Sequence, residues 1–263
     1  MSDFALGSDL HACAGIVEKG DPDRFMAVMA APPAARRVLF PIYALNVEVA
    51  RAPWVTQEPM IAQMRLQWWA DALEEIASGG SVRRHEVVTP LAEVLPAPAA
   101  RRLGLLVEAR RMDIERAPFE DEAVLRDYID RTAGFLAQSA AEALGAAPGL
   151  LLPVSVWARA AGVARYMQAV PELEARGKLP LPDGRPERVA QLARAELEAL
   201  RKVGGGLRGL RRRLGHEAGA AVLELWQARA LLRLIARDPA AVAEGRVALS
   251  DFGRKARLLS LAW

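Results

Sequence analysis

A period of three and four residues runs through residues 36–76 and leaves little room for a strand. Leu39, Tyr43, Val47 and Ala50 form one apolar stripe; Met60, Met64, Trp68, Ala72 and Ile76 form a second. Side chains at this spacing share one face of a helix. Ala52-Pro53 lies between the stripes and supplies the turn. The stretch therefore predicts a helical hairpin with an apolar face on each arm.

The rest of the chain reads the same way. Ser8 caps a helix over 8–19, and Gly20 closes it. Asp21-Pro22 starts a second helix, and Pro32-Pro33 stops it. Gly79-Gly80 ends the hairpin, residues 81–85 form a basic loop, and Thr89-Pro90 opens a short helix. Further helices are expected over 99–116, 119–144, 150–173 (ending near Pro171), 187–203 and 218–237, with an irregular connection over 177–186. The tail from Asp251 to Trp263 reads as a basic amphipathic helix. No segment alternates at strand spacing. Alanine is abundant and β-branched residues are sparse, which also favours helix. The expectation is one all-α domain over residues 1–263.

At 263 residues and 52% hydrophobic composition the chain can bury a large core, which excludes disorder as its main state. Cys13 is the only cysteine, so no internal disulfide forms and a reducing, cytoplasmic compartment is expected. The first 15 residues lack a basic stretch followed by an apolar run, so no signal peptide is read there. No apolar run is long enough to span a membrane. The net charge of +3 is a weak bias. The run Arg211-Arg212-Arg213 reads as a solvated helix end, and no nucleic-acid motif is present. His11, His85 and His216 are scattered without metal-ligand spacing, and Gly204-Gly205-Gly206 lacks the pattern of a phosphate loop.

Acidic pairs at helical spacing carry more chemistry, because two carboxylates on one face can share Mg²⁺ and, through it, a diphosphate. Asp71 with Glu75 is the candidate metal pair; a solvated helix face explains the same spacing. Asp127 with Asp130 has arginine neighbours that point to surface pairing, and Glu172 with Glu174 reads as loop. Asn46 is the only asparagine in the chain and sits in the middle of a predicted helix, where it is a mediocre choice.

Three blocks resemble the squalene/phytoene synthase family, whose fold is an isoprenoid-synthase-like helical bundle around a central cavity. The first runs from Asp21 to Ala50, with Arg24-Phe25, a proline turn and Tyr43-Ala44. The second is MRLQWWADALEEI, from Met64 to Ile76. The third, from Ala161 to Pro182, ends in GKLPLP. The resemblance implies two aspartate-rich motifs that hold Mg²⁺ and prenyl diphosphates. By position from Tyr43 the first should place carboxylates near Ala50 and Trp54; the second should begin at Ala169. Neither set of carboxylates is there. Asn46-Val47-Glu48 followed by Met64-Arg65-Leu66-Gln67-Trp68-Trp69 is similar to the non-catalytic, complex I assembly-factor branch of the family.

The resemblance therefore implies a non-catalytic binding or assembly protein with a respiratory-chain client, no nucleic-acid partner and no cofactor. Two alternatives stay open. One is an active prenyltransferase that uses Mg²⁺ on displaced carboxylates such as Asp71 and Glu75. The other is a carrier of an isoprenoid or lipid ligand, in peripheral contact with a membrane through the tail. If a ligand cavity survives, helical phase and the family's motifs point to Tyr43, Asn46, Glu48, Arg51, Arg65, Gln67, Arg165 and Gln168 as its lining.

Overall fold

Proline and small polar caps set most of the helix starts. In the computed structural model, which describes residues 7–115 and 117–263, Ser8 Oγ accepts the His11 N–H and opens α1 (Asp9–Gly20). Asp21 caps α2 (Pro22–Met29) through the Arg24 N–H. Pro33 then opens α3 (Pro33–Arg51). A 3₁₀ turn over Ala52–Trp54 and the segment after it lead to α4 (Pro59–Ser78), which Gly79 closes in the left-handed conformation at φ 69°. The short α5 (Val88–Val94) and α6 (Ala97–Ala109) follow. Arg116, the expected end of the latter, and residues 1–6 of the segment read for a leader lie outside the described residues. The helix α6 runs into a 3₁₀ turn over Arg110–Asp113.

The expected helix over 119–144 is split. It begins at α7 (Glu122–Ile129), widens into a π turn over Asp130–Gly134, and resumes as α8 (Phe135–Ala143). The long α9 (Leu151–Ala175) runs straight through Pro171, past the end expected from the sequence. Packing against α8, α10 and α12 holds it helical despite the lost N–H donor. Glu172 and Glu174, expected in a loop, stand exposed on its last turns. Then come α10 (Pro186–Val203) and α11 (Gly206–Leu214). The apolar segment expected as one helix over 218–237 is a buried 3₁₀ helix over Ala218–Leu225 followed by α12 (Ala228–Arg237). The chain ends in α13 (Ala240–Ala243) and α14 (Asp251–Ala262). No strand occurs among the described residues.

The hairpin arms pack with partly different faces from those expected. Leu39, Tyr43 and Val47 are buried on α3. On α4 the buried stripe is Ala62, Leu66, Trp69, Leu73 and Ile76, whereas Met60 and Met64 are 69% and 65% exposed. The two stripes converge at Ala72–Ile76, and α4 packs on α6 and on the 3₁₀ turn before it. Gly20 does not close α1 with a left-handed turn: it is the last helical residue, where α1 touches α3. A Cβ there would stand 2.4 Å from Val47 Cγ1, so the contact demands glycine.

Candidate functional site

Of the charged clusters in the interior, two flank one cavity. The first joins α2, α9 and the 3₁₀ helix over Ala218–Leu225. Arg24 donates from Nε to Glu224 at 2.9 Å and from a terminal nitrogen to Asp21 at 2.5 Å. Arg165 lies 2.7 Å from the same Glu224 carboxylate oxygen and donates to the Glu224 carbonyl at 2.6 Å. Arg24 and Glu224 are buried, so each charge depends on its partners. Burial opposes ionisation of Asp21, but the Arg24 and Arg165 guanidiniums outweigh it and hold the carboxyl below its ordinary value. The Tyr43 ring lies under Arg24, 5.5 Å from the guanidinium carbon. Its phenol is pushed far up by burial and by Glu224, so it stays protonated.

The second cluster ties the 3₁₀ turn over Arg110–Asp113 to α7 and to the segment after α9. Lys178 donates to Asp113 at 3.0 Å. The other Asp113 oxygen accepts from the Tyr128 hydroxyl at 2.8 Å and from Arg110 at 3.2 Å. Tyr128, Tyr166 and Phe119 form an aromatic group with centroids 5.2 to 6.3 Å apart, in which Tyr166 meets the other two rings edge to face. Lys178 Nζ lies 5.7 Å from the Phe119 ring centre and 5.9 Å from that of Trp54, and the Arg176 guanidinium lies 5.2 Å from the Trp54 ring. Cations over ring faces are attracted by the ring quadrupole.

Between the clusters is a cavity of about 180 Å³. Arg24, Asn46, Arg110, Tyr128, Arg165 and Tyr166 supply its polar wall. The π turn gives the other wall through Thr132 and Ala133, and α9 closes on it at Gly162. A Cβ at Gly162 would stand 2.6 Å from Ile129 and 2.7 Å from Ala133.

The eight residues expected to line one cavity are divided among several places. Asn46 and Arg165 line the central cavity, and Tyr43 is buried beside it. Glu48, Arg51 and Arg65 line a separate surface pocket of about 330 Å³ with Trp68, Trp69 and His85. Five positions turn a helix by about 140° beyond a full circle, so Tyr43 and Glu48, or Asn46 and Arg51, leave α3 on different sides. Gln67, on α4, is exposed; it donates to Asp71 at 2.7 Å and accepts from Arg111 at 2.7 Å. Gln168 donates to the Val247 carbonyl at 2.8 Å.

The candidate metal pair is engaged elsewhere. Arg83 grips Glu75 through its side chain, with the closest contact at 2.6 Å, and through its backbone N–H. Asp127 pairs with Arg131, whereas Asp130 turns to Arg159 on α9. Among the described residues no three His, Cys, Asp or Glu side chains are grouped to hold a metal ion. Arg110, Asp113, Tyr128, Lys178 and Glu224 were not found from the sequence. Arg24 lies in the Arg-Phe block and Lys178 in the GKLPLP segment, and these two blocks were the available signals.

The squalene/phytoene synthase family model matches residues 17–251, nearly the whole chain. The chain belongs to the squalene/phytoene synthase family. Its fold is the isoprenoid-synthase-like bundle: a dehydrosqualene synthase crystallised with ligand superposes with a TM-score of 0.74 over 96% of this chain and 95% of that one, at 14% identity. A squalene synthase from Alicyclobacillus acidocaldarius gives 0.67 over 88% and 94%, at 17% identity. In sequence the chain is similar to the Drosophila melanogaster homolog of NADH dehydrogenase (ubiquinone) complex I, assembly factor 6, at 31% identity over 126 residues. That match covers 46% of this chain and 38% of the relative. The Homo sapiens assembly factor 6 is 25% identical over 142 residues, covering 54% of this chain and 42% of its own length. The chain thus matches less than half the length of these relatives. Among the described residues no helix is long and apolar enough to cross a membrane.

Proposed function

We propose that this family member, as one domain, is a non-catalytic binding protein that serves the assembly of respiratory complex I through a protein client. One arrangement carries the reading. Trp54 stands where the first motif's carboxylate is expected, and Arg176 and Lys178, just beyond the second motif's place, lie against its indole. A diphosphate leaving group in such a bundle needs divalent cations, and those need carboxylates. Here two protein cations and an indole occupy the region. Its one buried carboxylate, Asp113, is taken by Lys178, Arg110 and Tyr128. These residues do not fit Mg²⁺.

Trp54, Asp113, Arg176 and Lys178 line a pocket of about 530 Å³, large enough for a small molecule, so the reading rests on the chemistry of this lining and not on its volume. The likeness to complex I assembly factors supports the client, and the exposed Met60, Ile61 and Met64 at the start of α4 offer an apolar surface for one. The test deletes the gene in its own host and measures NADH:ubiquinone oxidoreductase activity in membranes. Activity is expected to fall and to return with the wild-type gene; unchanged activity contradicts the assembly role.

A second reading, a membrane-surface carrier of an isoprenoid or lipid, has one observation in its favour. Phe252, Leu259 and Trp263 of the tail are 83%, 57% and 98% exposed. The double variant Phe252→Ser/Trp263→Ser separates it from the first. Loss of vesicle binding at unchanged thermal stability supports the carrier, and unaltered partition contradicts it.

A further inference from the structure

A groove of about 720 Å³, which shares no lining residue with the central cavity, runs between the start of α11, α12 and α14. Five arginines line it: Arg208, Arg229, Arg233, Arg237 and Arg257. Asp238 is the one acid in the lining, and it already pairs with Arg246 at 3.2 Å. Among the described residues none of the five has a carboxylate partner; Arg208 bonds to Ser260, and Arg257 donates to the Gly253 carbonyl. Arg229, Arg233 and Arg237 follow one another at four-residue spacing on one face of α12. Like charges at that spacing destabilise a helix, so the stripe calls for a counter-charge from outside.

Other donors converge on the same place. Gly205 and Gly206 line the groove at φ 66° and 65°, and no side chain caps the first turn of α11. A helix start in this form presents free N–H groups to an anion. Trp157 and Trp226 also line the groove, are buried, and have indole N–H groups without an acceptor among the described residues. Arg229 stacks 5.5 Å over the Trp157 ring, which fixes the height of its guanidinium. Leu207, Leu234 and Leu249 give the groove an apolar side. An adjoining pocket shares Arg208 and adds Arg211 and Arg212 beside the exposed Trp263.

We propose that this groove is a binding site for a phosphate-bearing ligand. Several guanidiniums and a helix start match the many acceptor oxygens and multiple charge of a phosphate or diphosphate. The site is independent of the central cavity and of the assembly reading. Two sources supply this chemistry, a soluble phosphorylated compound and the headgroup of an anionic lipid.

The test uses the full chain. Inorganic pyrophosphate is titrated calorimetrically, and flotation is measured with phosphatidylcholine vesicles with and without phosphatidic acid, at matched ionic strength. The wild type is expected to bind at least one of them. Arg233→Gln/Arg237→Gln, at two exposed positions, is expected to weaken binding at least tenfold with an unchanged melting curve. Arg257→Gln repeats the test from α14. Arg201→Gln, which removes an arginine paired with Glu198 on α10, is expected to leave binding unchanged. Pyrophosphate binding without flotation assigns a soluble ligand; flotation that requires phosphatidic acid assigns a lipid headgroup. No binding of either probe overturns the site, as does binding that the groove variants keep or that Arg201→Gln loses equally.

Discussion

Glu224 holds two arginines at once, and its loss is felt through both. Glu224→Ala leaves Arg24 and Arg165 without their shared carboxylate in the interior. Breaking a buried pair from one side costs about 3–5 kcal/mol, and urea denaturation at pH 7 is expected to show a loss of that order. The same cluster sets an acid limb. Because Asp21 has its carboxyl lowered in the folded state, its contribution is present above the ordinary value of 3.8 and is lost as pH falls through the folded value. Asp21→Asn is therefore expected to be less stable than the parent at pH 7 and to lose less on acidification below about pH 4. Cys13 is simpler. Burial, with Asp9 and Glu86 adding to it, pushes its thiol up to about 12. A thiol reagent at pH 8 is expected to label it only at the rate of unfolding; rapid labelling of the native protein contradicts the burial.

At the scale of elements, the π turn is the feature that shapes the cavity wall. Thr132 bonds back to the Tyr128 carbonyl at 2.8 Å, and α9 packs on the widened turn at Gly162. Gly162→Ala forces a methyl against Ile129 and Ala133, and overpacking of this kind costs about 1–3 kcal/mol. A melting temperature at or above the parent's contradicts that contact. The tail helix docks by Leu258 and Leu261 and by the Arg254–Asp23 pair at 3.2 Å. Removing residues 251–263 is thus expected to lower stability. The first two helix starts were legible because caps are local chemistry: Ser8 and Asp21 act within a turn of themselves. Pro33, read only as a stop, also opens α3. The π turn, the 3₁₀ segment and the passage through Pro171 were not legible, because neighbouring elements decide them. The choice of buried stripe on α4 belongs with them: both stripes are apolar, and it is the elements packed on α4, α6 foremost, that distinguish Met64 from Leu66.

For the whole molecule, the fold was legible through order: an Arg-Phe block, a Tyr-Ala helix and a GKLPLP segment at family spacing. The charged interior was not, because its partners are remote in sequence. Arg24 meets Glu224 across 200 positions, and Lys178 meets Asp113 across 65. Periodicity reports the face a residue occupies but not the partner across the core, so Glu48 and Arg51 were grouped with Tyr43 although they open on another pocket. The proposed function puts Trp54, Arg176 and Lys178 in the place of the family's metal platform. Calorimetric titration with farnesyl thiodiphosphate, with and without Mg²⁺, separates this from an active site. The same heats are expected in both conditions. Binding that requires Mg²⁺ would contradict the proposed function and return the chain to the prenyltransferases.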